Sequence, residues 1–137
     1  MGLCALDPNG TLKWNYETVS GIGPYASPII GNDGNIFCVV EPKLLALSPK
    51  GELLWQKEFP VLWLSSPIIS KDGIIYFGTS YSTFANFYAL NTNGDILFSL
   101  QLKSGSNVVN VTSCPALASD GALYVGVAVW GGLVKIH

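Results

Sequence analysis

Leu3-Cys4-Ala5-Leu6-Asp7-Pro8-Asn9-Gly10-Thr11-Leu12-Lys13-Trp14 occurs three times in related form. Under it aligns Leu44-Leu45-Ala46-Leu47-Ser48-Pro49-Lys50-Gly51-Glu52-Leu53-Leu54-Trp55. Under that aligns Phe87-Tyr88-Ala89-Leu90-Asn91-Thr92-Asn93-Gly94-Asp95-Ile96-Leu97-Phe98. The closing glycines Gly10, Gly51 and Gly94 stand 41 and 43 residues apart. A second block keeps step with the first. Ser27-Pro28-Ile29-Ile30 runs to Asp33-Gly34 and Ile36-Phe37-Cys38-Val39. Ser66-Pro67-Ile68-Ile69 runs to Asp72-Gly73 and Ile75-Tyr76-Phe77-Gly78. Cys114-Pro115-Ala116-Leu117 runs to Asp120-Gly121 and Leu123-Tyr124-Val125-Gly126.

A fixed period of about 40–50 residues is that of a propeller blade. Each unit reads as four short strands, A (Ser-Pro-Ile-Ile), B (Ile-Tyr-Phe-Gly), C (Leu-Leu-Ala-Leu) and D (Glu-Leu-Leu-Trp). Asp-Gly marks the A–B turn, because glycine takes positive φ without a Cβ clash. The C–D turn has Asp, Ser or Asn first, Pro or Thr second, and Gly last, the chemistry of a tight turn. The proline opening two A strands, and its counterpart Pro115, cannot donate to a ladder and suits an edge. The expected fold is all-β, with four-stranded antiparallel meanders making about three blades of an incomplete ring. About twelve or thirteen strands are expected, with no helix longer than two turns. The chain forms one segment: strands C–D at 2–17, a full blade at 25–59, a full blade at 64–102, and A–B with part of C at 112–137. In that last C strand, Lys135 stands where the other copies have Ala5, Ala46 and Ala89.

These residues resemble the pyrroloquinoline quinone (PQQ)-like propeller repeats of the quinoprotein dehydrogenase-like superfamily. That family's docking motif runs Ala-x-Asp, then a turn ending in Gly, then three residues and Trp. Ala5, Asp7, Gly10 and Trp14 match it, as do Ala46, Gly51 and Trp55. In the third copy Ala89 and Gly94 match, while Asn91 and Phe98 replace Asp and Trp. The resemblance implies blades docked through Trp14, Trp55 and Phe98, and a periplasmic or cell-surface setting. The superfamily's enzymes hold PQQ beside two adjacent cysteines. Cys4, Cys38 and Cys114 are far apart, so the resemblance carries the blade and not the cofactor site.

Composition narrows the function classes. The net charge is −2, and all seven basic residues are lysine, which argues against nucleic acid. The most apolar stretch, residues 122–134, is too short to span a bilayer and contains glycines, so no membrane insertion is expected. Three scattered cysteines make neither a disulfide framework nor a zinc signature and read as small buried hydrophobes. Asn9-Gly10-Thr11 and Asn110-Val111-Thr112 fit a glycosylation acceptor pattern that is too short to decide anything.

No catalytic residue emerges. A triad needs a histidine held by packing, whereas His137, the only one, is terminal. Asp7, Asp33, Asp72, Asp95 and Asp120 belong to or abut turns, where aspartate caps its own backbone. The Asp-Gly turns lack the run of oxygen ligands that calcium needs. No catalytic, cofactor or metal site is expected, and no enzymatic activity.

Binding is expected on the loops that join B to C and D to A, since these vary while the turns on the other face are uniform. Trp63, Tyr81, Phe84 and Trp130 lie on them outside the repeated strand positions and form the candidate contact patch for a protein or glycan partner. Packing of these four under their own loops is the alternative. Open blade edges also favour self-association. The leading reading is a non-enzymatic binding or scaffolding propeller module. The others are a fragment of a PQQ-dependent dehydrogenase and the sensor region of a larger receptor or kinase.

Overall fold

The computed structural model describes residues 2–18, 26–40, 42–59, 63–80, 86–104, 107–111, 113–128 and 132–136. Among these the secondary structure is entirely β. Blade 1 is the hairpin β1 (Gly2–Leu6) and β2 (Leu12–Glu17). Blade 2 holds β3 (Ile29–Ile30), β4 (Ile36–Val40), β5 (Lys43–Leu47) and β6 (Leu53–Glu58), paired in sequence order. Blade 3 holds β7 (Trp63–Leu64), β8 (Ile68–Ile69), β9 (Ile75–Ser80), β10 (Phe87–Leu90) and β11 (Ile96–Leu100). A small hairpin of β12 (Lys103–Ser104) and β13 (Asn107–Val108) follows. Blade 4 holds β14 (Asn110–Val111), β15 (Ala116–Leu117), β16 (Leu123–Ala128) and β17 (Gly132–Ile136).

Seventeen strand segments among the described residues exceed the twelve or thirteen expected. The excess comes from the stretches read as D–A loops. In blades 3 and 4 the A strand is two short pieces on one partner: β7 and β8 both pair with β9, and β14 and β15 both pair with β16. A bend carrying Ser65 or Ser113 separates the pieces, and two residues are too few to show a strand's alternation.

The turns are alike throughout. Gly10, Gly34, Gly51, Gly73, Gly94 and Gly121 all have φ between 81° and 87°. Each donates its backbone N–H to the carbonyl three residues earlier, as Gly51 does to Ser48 at 2.9 Å. The C–D ladders shift register just before the turn, at Ala5/Leu6, Ala46/Leu47 and Ala89/Leu90. This is a bulge closed by a left-handed glycine, which explains why glycine keeps its place in every copy.

Period-two alternation sends successive side chains to opposite faces, so one strand serves two seams. Cys38 and Val40 of β4 pack with Leu45 and Leu47 against Leu3, Trp14 and Tyr16 of blade 1. Phe37 and Val39 of the same strand pack with Phe59, Phe77 and Tyr88 toward blade 3. Phe87, Val111, Leu123 and Val125 fill the seam between blades 3 and 4. Strands B and C of blades 2 and 3 are therefore buried on both faces, while β2 and β6 bury one. The cysteines depart from expectation. Cys38 is buried, but Cys4 and Cys114 are exposed. Cys4 lies on β1, which has no partner besides β2 among the described strands, and Cys114 lies in the bend before β15.

Candidate binding surfaces

Trp14 donates its indole N–H to the carbonyl of Pro49 at 3.0 Å, and Trp55 donates to Thr92 at 2.8 Å. Each acceptor is the second residue of the next blade's C–D turn. Each ring also lies over that turn's glycine. A Cβ on Gly51 would fall 2.5–2.9 Å from Trp14 atoms, and one on Gly94 would fall 3.2–3.3 Å from Trp55 atoms. Lys57 adds a bond from Nζ to the Gly94 carbonyl at 2.8 Å. Phe98 stands at the third such position. It is 42 % exposed, and its ring centroid is 6.5 Å from that of Tyr76.

On the loop face, Tyr81, Phe84 and Trp130 lie outside the described residues, as does the Trp63 side chain. The backbone of Trp63 is described, and it pairs with Ser80 in β7–β9. That register sets the backbone of Trp63 and Leu64 beside the root of the 79–86 loop. The loop's ends are clamped together, since Thr79 and Asn86 exchange three bonds: Thr79 N to Asn86 O at 2.9 Å, Asn86 N to Thr79 Oγ1 at 2.8 Å, and Thr79 Oγ1 to Asn86 O at 3.0 Å. In blade 4, Asn110 pairs with Ala128 in the same way, beside the root of the 127–132 loop.

The opposite face, read from sequence as uniform, carries a cleft. It has a volume of about 590 Å³ and lies between the A–B turns of blades 3 and 4. Lys71, Asp72, Tyr76, Leu117 and Ser119 help to line it. At the preceding seam Asn32 Nδ2 donates to the Lys71 carbonyl at 2.8 Å and bridges the two turns. Lys71 occupies the Asn32 position at the seam that opens. The signal was lysine at position 71 where the preceding A–B turn carries Asn32. Burial and then the Asp72 carboxylate hold the Tyr76 phenol above its ordinary pKa of 10.0. At neutral pH it is a hydrogen-bond donor rather than a base.

The turn carboxylates and amides serve their own backbone. Asp33 accepts from Asn35 N at 3.0 Å, Asn91 Oδ1 accepts from Asp95 N at 2.9 Å, and Asp120 accepts from Ala122 N at 3.0 Å. Among the described residues no group of three or more His, Cys, Asp or Glu could hold a metal ion. Among them, too, no helix is long and apolar enough to cross a membrane.

No protein-family profile matches the chain, and no curated protein matches it significantly. Solved structures do. BamB from Moraxella catarrhalis is similar over 97 % of this chain and 42 % of its own, with 20 % identity and a TM-score of 0.77. A protein of unknown function from Bacteroides caccae is similar over 96 % of this chain and 48 % of its own, with 18 % identity and a TM-score of 0.65. A virginiamycin B lyase from Staphylococcus aureus, solved with quinupristin, is similar over 97 % of this chain and 47 % of its own, with 17 % identity and a TM-score of 0.66. The chain thus spans less than half the length of each. These likenesses, with the antiparallel blades and their repeated docking contacts, establish that the chain has a β-propeller fold.

Proposed function

We propose that this chain is a PQQ-like repeat segment acting as a non-enzymatic binding or scaffolding module for a protein or glycan partner. The carrying observation is the pairing of Trp63 with Ser80, which brings an aromatic-bearing D–A segment to the root of the loop that holds Tyr81 and Phe84. Loops fixed on a rigid scaffold are where binding residues gather, and aromatics bury much area with few rotors. Trp63, Tyr81, Phe84 and Trp130 are the contact patch in this reading. The turn polar groups that bond their own backbone support the absence of chemistry at the turns. The setting is periplasmic or at the cell surface.

A glycan array and a panel of secreted proteins, probed with the wild type and with Trp63→Ala/Trp130→Ala, test this. Replacing two interface aromatics should weaken binding by at least about tenfold and leave the thermal midpoint nearly unchanged. Equal binding by the double variant would overturn the patch. Dye-linked alcohol oxidation above background with added PQQ and calcium would overturn the non-enzymatic reading.

A further inference from the structure

We infer that Asn93-Gly94 is a self-modifying site: the docking of blade 2 keeps Asn93 an amide, and loosening of that seam lets it convert one way to isoaspartate. Asparagine is among the chemically labile residues, and a following glycine exposes it most. One methylene separates the Asn93 carboxamide from its Cα, so attack by the Gly94 backbone nitrogen closes a five-membered ring, and glycine has no Cβ to obstruct it. Base removes the Gly94 N–H proton, the bond from Gly94 N to Asn93 Cγ forms, the Cγ–Nδ2 bond breaks, and ammonia leaves. Water then opens the succinimide. Opening at Cγ gives aspartate. Opening at the main-chain carbonyl gives isoaspartate, in which the chain runs through Cβ and Cγ.

The turn presents the reactive side chain. Asn93 is exposed, and so is Lys50 at the same place in blade 2, which has neighbours on both sides. The exposure therefore belongs to the turn position. The Asn91 carboxamide organises this turn: its Oδ1 accepts from Asn93 N at 3.0 Å and from Asp95 N at 2.9 Å, and its Nδ2 donates to Asp95 Oδ2 at 2.8 Å. Among the described residues the carboxamide of Asn93 itself has no hydrogen bond. The same dipeptide in blade 1, Asn9-Gly10, differs, since Asn9 Oδ1 accepts the Thr11 N–H at 3.1 Å.

What restrains Asn93 is the seam. Gly94 N donates to the Asn91 carbonyl at 3.1 Å and cannot attack while it does. Blade 2 clamps that closed turn on both sides of Asn93. Trp55 donates to the Thr92 carbonyl, and Lys57 Nζ donates to the Gly94 carbonyl, each at 2.8 Å. Gly94 is buried against the Trp55 ring. Ring closure therefore waits for local opening, and the docking contacts set how often the turn opens. The product acts back on the same contacts. Isoaspartate adds one backbone atom to a turn whose length is alike in all three copies, which shifts Gly94 away from Trp55 and Lys57. It also adds a negative charge. Each modified turn leaves the seam weaker than before.

Incubation of the 137-residue chain in mildly alkaline buffer, followed by peptide mapping for isoaspartate, tests the inference. Asn93 should react more slowly in the folded chain than in the chain unfolded by urea. Trp55→Phe and Lys57→Met each remove one clamping bond and should speed the reaction at Asn93 about fivefold, one net hydrogen bond. The rate at Asn9 should not change, and circular dichroism shows whether both variants are folded. Asn93→Lys takes the residue that blade 2 carries as Lys50, and it should keep its urea midpoint through the incubation while that of the wild type falls. An Asn93 that reacts as fast folded as unfolded, or no faster in the two seam variants than in the wild type, would show that the seam does not guard it. A modified fraction with the original urea midpoint would show that the product leaves the seam intact, and would equally overturn the inference.

Discussion

The Ser65 hydroxyl accepts the backbone N–H of Gly78 at 2.9 Å, doing for that strand what a ladder carbonyl would otherwise do. In return the Ser65 N–H donates to the Gly78 carbonyl at 2.8 Å. Ser113 and Gly126 repeat the relationship in blade 4, with Oγ accepting from Gly126 N at 2.8 Å and donating to Gly126 O at 3.0 Å. In blade 2 the corresponding residues are Ala26 and Val39, and neither serine nor glycine is present. The two residues therefore go together. The bend lifts the chain off the ladder, the serine closes the gap, and the glycine leaves room.

Replacing either member should be costly in blade 3. Ser65→Ala leaves the Gly78 N–H buried without its acceptor and should destabilise by about 1–3 kcal/mol. A Cβ at Gly78 would run into the Val111 side chain of the next blade, and overpacking of that kind costs about 1–3 kcal/mol. Urea unfolding checks both. Combining Gly78→Ala with Val111→Ala should recover part of the loss, because the clash is between those two residues.

Trp55 offers a second measurement, on the seam between blades 2 and 3. Trp55→Phe keeps an aromatic on Gly94 but removes the 2.8 Å bond to the Thr92 carbonyl, and should cost about 1 kcal/mol. Trp55→Ala also opens space beside the buried Phe37, whose ring centroid is 6.0 Å away, and should cost about 3 kcal/mol or more. Equal effects of the two substitutions would show that the indole N–H carries the contact and the ring does not.

Much of this fold is legible in the repeat. Gly10, Gly51 and Gly94 mark the C–D turns because no other residue takes their backbone without strain, and the apolar quartets between turns mark the covered strands. The split A strands were not legible, because Trp63–Leu64 and Asn110–Val111 are too short to show a period. The pairing of Ser65 with Gly78 and Ser113 with Gly126, against Ala26 with Val39, was the available signal. Burial of the cysteines failed for Cys4 and Cys114 because exposure depends on which strands are beside them, not on residue type. The cleft at Lys71 lay on the face judged uniform, since a turn can keep its backbone while one side chain alters the seam. The loop patch rests on residues outside those described, apart from the backbone of Trp63.

The buried thiol of Cys38 gives the chain an alkaline weakness. Cys38 faces the seam with blade 1, packed among Val40, Leu45 and Leu47, and burial pushes its pKa from 9.0 to about 11. In the unfolded chain the thiol ionises through about pH 9. In the folded chain it stays neutral until about pH 11. Between these values the unfolded state loses a proton that the folded state retains, so stability falls as pH rises through that window. Below it the group is neutral in both states and has no effect. The Tyr76 phenol, also raised, acts in the same direction from pH 10 upward. The thermal midpoint should therefore decline above about pH 9 in the wild type. Cys38→Val, of similar volume and unable to ionise, should remove the earlier part of that decline, and Tyr76→Phe the later part. Identical midpoint-against-pH curves for wild type and Cys38→Val would show that the thiol is not held neutral by its seam.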